Sequence, residues 1–182
     1  MSGPEGGSRK VHIVQGEFQV SRDPGLVFST LLGSCVAACV MDPLARVGGM
    51  NHFLLPGDPA SKPQEAERYG VHLMEMLINE LMKQGARRER LEAKLFGGAT
   101  MMAGLWDIGK KNAEFARRFL SHEGIQVVNS DLGGARGRRI LYWPSTGKAQ
   151  LAYMGAKAAL PPVELQRPMP APVAGEFESF GP

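Results

Sequence analysis

Most apolar positions in this sequence fall in short runs that predict β-strands. The runs cover residues 11–20, 26–32, 35–41, 47–55, 91–96, 125–128, 140–143 and 149–153. Two of them, 26–32 and 35–41, are almost continuously apolar and are separated by Gly33-Ser34. We therefore expect two buried strands with a hinge between them.

Two other segments have apolar residues at three- and four-residue spacing, which is typical of amphipathic helices. The first helix is predicted over 64–83 and the second over 112–122, with Gly85 and Gly124 as their ends. The last two strand runs bracket the turn sequence at 144–147 and predict a hairpin. Strands dominate and two main helices cover them, so the sequence predicts a mixed α/β or α+β fold.

The length and composition of the chain indicate one domain. Its 182 residues, 43% of them hydrophobic, can bury one sizeable core, which we expect within 11–160. Residues 1–10 contain no apolar core and predict a flexible N-terminus. Residues 161–182 carry six prolines among small and polar residues, which predicts a disordered tail.

Charge and apolar length argue against two classes of partner. A formal net charge of +3 is too small to indicate a nucleic-acid partner. The longest uncharged stretch, 26–41, is too short and too polar to cross a bilayer, so we expect no membrane insertion. Basic residues gather locally; we interpret them as solvated faces, with a docking surface for an acidic protein as the alternative. They are Arg87, Arg88, Arg90, Lys110, Lys111, Arg136, Arg138 and Arg139.

The cysteine content indicates a reducing compartment. Cys35 and Cys39 are the two cysteines, and their four-residue spacing excludes a disulfide framework of the secreted kind. The N-terminus has no recognisable signal peptide. We therefore expect a cytoplasmic protein in which a free thiol persists.

Cys35 is the first candidate for chemistry, because it follows the hinge at the start of an apolar strand. A tight turn there can present the side chain at the sheet edge while backbone N–H groups point outward, as a covalent acyl-transfer site requires. The alternative is a buried cysteine that acts as a small hydrophobe.

His52 is the second candidate, seventeen residues later in the next predicted strand. Turns at Asp42-Pro43 and Gly48-Gly49 would let the two strands pair, so that the thiol and the imidazole face each other. Imidazole stabilises a thiolate and can protonate a leaving amine. A half-buried structural histidine is the alternative.

A zinc site built from Cys35, Cys39 and His52 is a weaker hypothesis. Structural zinc takes four ligands in paired spacing, and two cysteines four residues apart within a strand do not form such a pair. The glycine pairs at 97–98 and 133–134 match neither the Walker nor the dinucleotide fingerprint and predict turns. We expect neither a metal nor a cofactor.

Four ordered motifs lie along the chain: TLLGSCVA at 30–37, GGMNHFLLP at 48–56, EAKLFGGA at 92–99 and DLGG at 131–134. With Asp42-Pro43, Ile108-Gly109, Asn112 and the arginines of 136–139, they resemble CheD, the family of chemoreceptor glutamine deamidases, over about residues 11–155. The resemblance implies packed β-sheets flanked by helices, similar to the catalytic domain of the cytotoxic necrotizing factor toxins. It also implies hydrolysis of particular glutamines on methyl-accepting chemotaxis receptors to glutamate.

The resemblance assigns the family's nucleophile to Cys35 and its histidine to His52. A hydroxyl residue that orients the histidine falls on Ser29, with Thr30 next to it. Neighbouring strand residues point to opposite faces, so only one of the two can serve, and we favour Ser29.

We expect a thioester mechanism in which the Cys35 thiolate attacks the glutamine carboxamide and the turn amides near Gly33, Ser34 and Cys35 hold the oxyanion. His52 protonates the departing ammonia and then activates water. Two other functions stay open. One is a non-catalytic regulator, since the resemblance also implies binding to CheC-type phosphatases; the other is a thiol acyl-transferase, either a transglutaminase or a peptidase.

Overall fold

Nine strands, two α-helices and one short 3-10 helix (Arg88–Arg90) lie in the part of the chain that a computed structural model describes, residues 7–56, 62–101 and 107–155. The strands are β1 (Arg9–His12), β2 (Phe18–Ser21), β3 (Leu26–Leu32), β4 (Val36–Asp42), β5 (Val47–Asn51), β6 (Glu92–Gly97), β7 (Gln126–Leu132), β8 (Arg138–Trp143) and β9 (Lys148–Tyr153). The helices are α1 (Pro63–Lys83) and α2 (Ile108–His122). The predicted α+β class with two main helices is confirmed.

The strands form two sheets. One has four strands in the order β1-β3-β8-β9, and the other has five in the order β2-β5-β4-β6-β7. The β1–β3 and β6–β7 pairs are parallel, and the other pairs are antiparallel. The hairpin predicted across 144–147 is confirmed as the β8–β9 pair.

Alternate residues of β4 face two different hydrophobic cores. Val36, Ala38 and Val40 pack with the helices, whereas Ala37 and Cys39 pack between the two sheets. Because β4 is covered on both faces, its sequence is a continuous apolar run and not an alternating one. The molecule therefore has three layers: helices, the five-stranded sheet and the four-stranded sheet.

The N-terminal region differs most from the prediction. A single strand was expected over 11–20, but β1 and β2 belong to different sheets and are separated by residues 13–17. Gly16 has a φ of 86°, a conformation that interrupts an extended strand. Arg9 and Lys10, assigned by the sequence to a flexible N-terminus, pair with β3.

Two expectations concern other parts of the chain. Within the described residues, neither helix combines the length and the apolar character that a bilayer-spanning helix requires. The tail expected to be disordered, 161–182, lies outside the described residues. The likeness to the necrotizing factor toxins stays a prediction.

Candidate active site

Cys35 directly precedes β4, and the end of β6 fixes its main chain. The Cys35 carbonyl accepts a hydrogen bond from the Gly98 N–H at 2.8 Å. A Cβ atom at Gly97 would lie 2.1 Å from the same carbonyl oxygen, and Gly97 has a φ of 110°. Any side chain at this position would therefore displace the cysteine. The Gly97-Gly98 pair, predicted as a turn, thus provides the close approach of two chain segments.

Asn112 of α2 ties the cysteine's hinge to the segment that follows His52. Its Nδ2 donates to the Ser34 carbonyl at 2.9 Å, and its Oδ1 accepts from the Leu55 N–H at 3.0 Å. The side chain is fully buried, so both hydrogen bonds are shielded from water. Sequence patterns identify Asn112 only as part of a motif and not as a residue that holds the site together.

Cys35 and His52 lie on the same face of the five-stranded sheet. β4 and β5 pair antiparallel, as predicted, and the isolated bridge between Val36 and Phe53 continues their register. His52 is therefore opposite Ala37, and Cys35 is its diagonal neighbour, with Cβ atoms about 7 Å apart. Because this face is directed at the four-stranded sheet, both side chains point into the space between the sheets.

The Cys35 sulfur makes its one recorded hydrogen bond to a residue that the sequence did not single out. Within the described part of the chain, Sγ contacts Gln15 Oε1 at 3.8 Å and makes no hydrogen bond to His52. Cys35 is partly exposed, whereas Cys39, four residues along the same face, is buried. The thiol at the hinge is therefore the accessible one of the two.

The imidazole of His52 is oriented by Thr30 of β3. Thr30 Oγ1 lies 2.7 Å from His52 Nδ1 and donates its single proton to the Ile13 carbonyl, also at 2.7 Å. Because that proton is used, the hydroxyl must accept from Nδ1–H. This leaves Nε2 as the unprotonated nitrogen of the neutral ring.

The expectation that Ser29 occupies this position is wrong. Leu26, Phe28 and Leu32 of β3 lie in the core between the sheets, and Thr30 has the same parity, so it points to the same face. Ser29 points to the opposite face and makes no contact with the histidine. The parity of the large apolar residues in β3 was the signal that could have identified Thr30.

Burial leaves both groups uncharged at neutral pH. It lowers the pKa of His52 to about 4, although the nearby Ile13 carbonyl partly opposes this shift. Burial likewise raises the pKa of the Cys35 thiol to about 12, partly opposed by the cysteine's own backbone N–H. The free protein therefore holds a neutral thiol and a neutral imidazole, and the expected thiolate requires proton transfer when substrate binds.

Backbone amides at the hinge are available for an oxyanion. The carbonyls of Gly33, Ser34 and Cys35 all accept hydrogen bonds, which fixes the hinge. Among the residues that the structure describes, the Ser34 and Cys35 N–H groups have no acceptor on another residue. The amides expected to hold an oxyanion are thus on a rigid turn beside the sulfur.

The zinc hypothesis built on Cys35, Cys39 and His52 is contradicted by the spacing of the two cysteines. Nowhere in 7–56, 62–101 or 107–155 do three His, Cys, Asp or Glu side chains form a group that could hold a metal ion. Along an extended strand Cys35 and Cys39 are about 13 Å apart, too far for both to bind one zinc ion.

Several of the basic residues that cluster in the sequence form ion pairs. Arg90 binds Asp42 at 2.8 Å, Arg138 binds Asp131 at 2.6 Å, and Arg88 pairs with Glu123. Arg136 lies over the ring of Tyr153, whose hydroxyl donates to Asp131. The clusters at 88–90 and 136–138 are therefore neither simple solvated faces nor wholly free docking surfaces. Near Asp131 they line an open pocket of about 400 Å³.

The fold and the site define an α+β protein with a cysteine and an oriented histidine between two packed sheets. A family model described as CheD chemotactic sensory transduction matches residues 54–153. A protein of Sinorhizobium medicae named "Probable chemoreceptor glutamine deamidase CheD" is 55% identical over 180 residues, covering 97% of this chain and 98% of that protein. The chain belongs to the CheD family.

A further relative and two solved structures are also similar to this chain. A protein of the same name from Acidiphilium cryptum is 57% identical over 152 residues, covering 82% of this chain and 80% of that protein. Among solved structures, YfiH of Bacillus licheniformis has a TM-score of 0.42 at 14% identity and covers 63% of this chain and 49% of its own. NMB0706 of Neisseria meningitidis has a TM-score of 0.44 at 10% identity. The match covers 69% of this chain and 64% of that protein.

Proposed function

We propose that this protein hydrolyses glutamine side chains of chemoreceptors to glutamate and ammonia in the cytoplasm, through a thioester on Cys35. The choice of substrate is supported by the names of the relatives, which are similar to this protein over nearly the whole chain. The observation that carries the chemistry is the series of contacts from Ile13 through Thr30 to His52, beside a partly exposed thiol.

In the first half-reaction, His52 Nε2 accepts the thiol proton as the Cys35 sulfur attacks the carboxamide carbon. The C–S bond forms, and the carbonyl electron pair moves onto oxygen. Backbone N–H groups at Ser34 and Cys35 stabilise that oxyanion. Collapse of the intermediate expels ammonia, which takes the proton held by His52, and leaves a thioester.

In the second half-reaction, water attacks the thioester while His52 Nε2 accepts a proton from it. The tetrahedral intermediate expels the Cys35 sulfur, which is reprotonated, and glutamate leaves. The balance is one glutamine side chain and one water converted to one glutamate and one ammonia. Neither half requires Nδ1 to release its proton, so Thr30 can hold the ring in one orientation throughout.

The decisive experiment combines purified protein with the cytoplasmic part of a receptor from the same organism. Wild-type protein is expected to convert defined receptor glutamines to glutamate, detected by peptide mass spectrometry, with stoichiometric ammonia. Cys35→Ala is expected to bind receptor and convert none. Cys39→Ala is the matched control, because it removes the other thiol from the same face of β4, and it should retain turnover.

The two other functions predict different outcomes. A non-catalytic regulator would bind receptor or a CheC-type phosphatase without releasing ammonia. A transglutaminase would attach an added primary amine to the glutamine, whereas a hydrolase gives glutamate with and without the amine. Unchanged turnover in Cys35→Ala would exclude the thioester mechanism.

A further inference from the structure

Residues 13–17, which we call the 13–17 loop, form main-chain hydrogen bonds both to β3 and to His52. The Ile13 N–H donates to the Ser29 carbonyl of β3 at 2.8 Å. The Gly16 N–H donates to the His52 carbonyl at 2.8 Å, and the His52 N–H donates to the Glu17 carbonyl at 3.1 Å. The loop is therefore fixed relative to the site at both of its ends.

Gln15 lies between these fixed points, and its carboxamide reaches the Cys35 sulfur. Its Oε1 is the 3.8 Å partner of Sγ, and its side chain is half-buried. A carboxamide has an acceptor on one side and two N–H donors on the other. Oε1 matches a protonated thiol, and a half-turn of the carboxamide would present Nε2–H to a negatively charged atom in the same place.

We propose that Gln15 is a further catalytic residue, whose side-chain N–H donates to the negative charge that develops on the sulfur and on the substrate oxygen during deamidation. This inference rests on the proposed function. It gives the oxyanion a side-chain donor in addition to the backbone amides of the hinge. Two observations favour it over a packing role: Gln15 is the recorded partner of the reacting sulfur, and a loop bonded to the histidine's own main chain presents it.

The need for such a donor follows from the burial of the thiol. Burial raises the pKa of Cys35 to about 12, so ionisation of the sulfur requires stabilisation that the apolar core between the sheets does not provide. A donor that faces the sulfur only after the proton has left acts on the charged state more than on the resting state. Such a contact affects kcat more than KM.

The test compares Gln15→Met and Gln15→Glu with wild type. Both substitutions keep the length of the side chain and remove its N–H donors. We expect kcat to fall about 100- to 1,000-fold in each, with KM changed less than about threefold. Gln19→Met, at an exposed glutamine of β2, is the matched control and should behave as wild type. Turnover of Gln15→Met within threefold of wild type would overturn the proposal, and so would increased turnover, which would mean that Gln15 occupies the substrate's place.

A second measurement separates failure of this inference from failure of the proposed function. In the Cys39→Ala background, Cys35 is the one thiol left, and its alkylation by iodoacetamide can be followed from pH 7 to 10 without any receptor. Gln15→Met is expected to slow alkylation by about three- to tenfold at each pH, because the thiolate loses a donor. An unchanged alkylation profile would refute the role of Gln15, whatever the substrate is.

Discussion

Asp42 at one end of β4 and Cys35 just before the other end are polar groups with opposite surroundings. At the C-terminal end, Asp42 is 0% exposed and accepts hydrogen bonds from the Arg90 guanidinium and from three backbone N–H groups. Just before the N-terminal end, the Cys35 sulfur has one long contact to Gln15, and the residue is partly exposed. The same strand thus lies between a carboxylate with several hydrogen bonds and a thiol with one long contact.

The difference separates a structural group from a reactive one. Burial alone would raise the pKa of Asp42, but the hydrogen bonds from Arg90 and from the backbone amides hold it well below its usual range. The carboxylate is therefore a permanent charge in a fixed network. At Cys35 nothing comparable offsets burial, so its ionisation is left to the moment of reaction.

The largest expected effect on the reactive end comes from His52→Ala. We expect kcat to fall at least about 1,000-fold, because general acid–base catalysis of both half-reactions is lost. The matched control is His12→Ala, at an exposed histidine of β1, with kcat close to wild type. Steady-state ammonia release measures both, and a small effect of His52→Ala would remove the histidine from the mechanism.

At the structural end, Asp42→Asn is expected to lower the free energy of unfolding by about 3 kcal/mol, because the Arg90 guanidinium loses its charged partner. Turnover at a temperature where the variant is folded should stay within threefold of wild type. Asp23→Asn is the control, since its ion pair with Arg9 is exposed and worth less than about 1 kcal/mol. Urea unfolding distinguishes the two, and equal losses would contradict the comparison.

His52, which lies beside Cys35, and Asp42 should also affect the stability of the protein in different pH ranges. The folded-state pKa of His52 is about 4, below the usual value of 6.5, so the unfolded chain binds the proton more readily between these values. The contribution of neutral His52 to the free energy of unfolding is complete above pH 6.5. It falls by about 2 kcal/mol between pH 7 and pH 5.

The pKa of Asp42 is also lowered, so its contribution is present above the usual carboxyl range and is lost only in stronger acid. Urea midpoints of wild type and His52→Asn, compared from pH 7 to 5, measure the contribution of the histidine. If the urea midpoint changed with pH by the same amount in both proteins, His52 would not be held neutral by burial.

The smallest effect we expect comes from Thr30→Val, which preserves volume but removes the hydroxyl from His52 Nδ1. We expect kcat to fall about tenfold, equivalent to about 1.4 kcal/mol, because the ring loses its fixed orientation. Ser29→Ala removes a hydroxyl from the next position and should have no such effect. If Ser29→Ala had the larger effect instead, the role assigned to Thr30 would be wrong.

Local patterns in the sequence predicted the elements more successfully than the contacts of the site. β3 is predicted at its observed bounds, because continuous apolar character and the flanking turns are local signals. The choice between Ser29 and Thr30 depends on which face of β3 meets the other sheet, and Gln15 reaches Cys35 across twenty residues of sequence. The parity of the large apolar residues in β3 could have identified Thr30, but the contact of Gln15 is set by the packing of two sheets, which a period of two along one strand does not specify.

The crossing of the 13–17 loop from one sheet to the other has a consequence for how the protein can evolve. Thr30 belongs to one sheet, whereas Cys35 and His52 flank paired strands of the other, so the gap between the layers determines how Thr30 holds the histidine ring. A bulkier side chain at Phe28 or Met50, in the core between the sheets, would widen that gap. The size of the side chains between the sheets therefore influences the turnover rate. Substitutions at these positions should be tolerated less often than the stability of the fold alone requires.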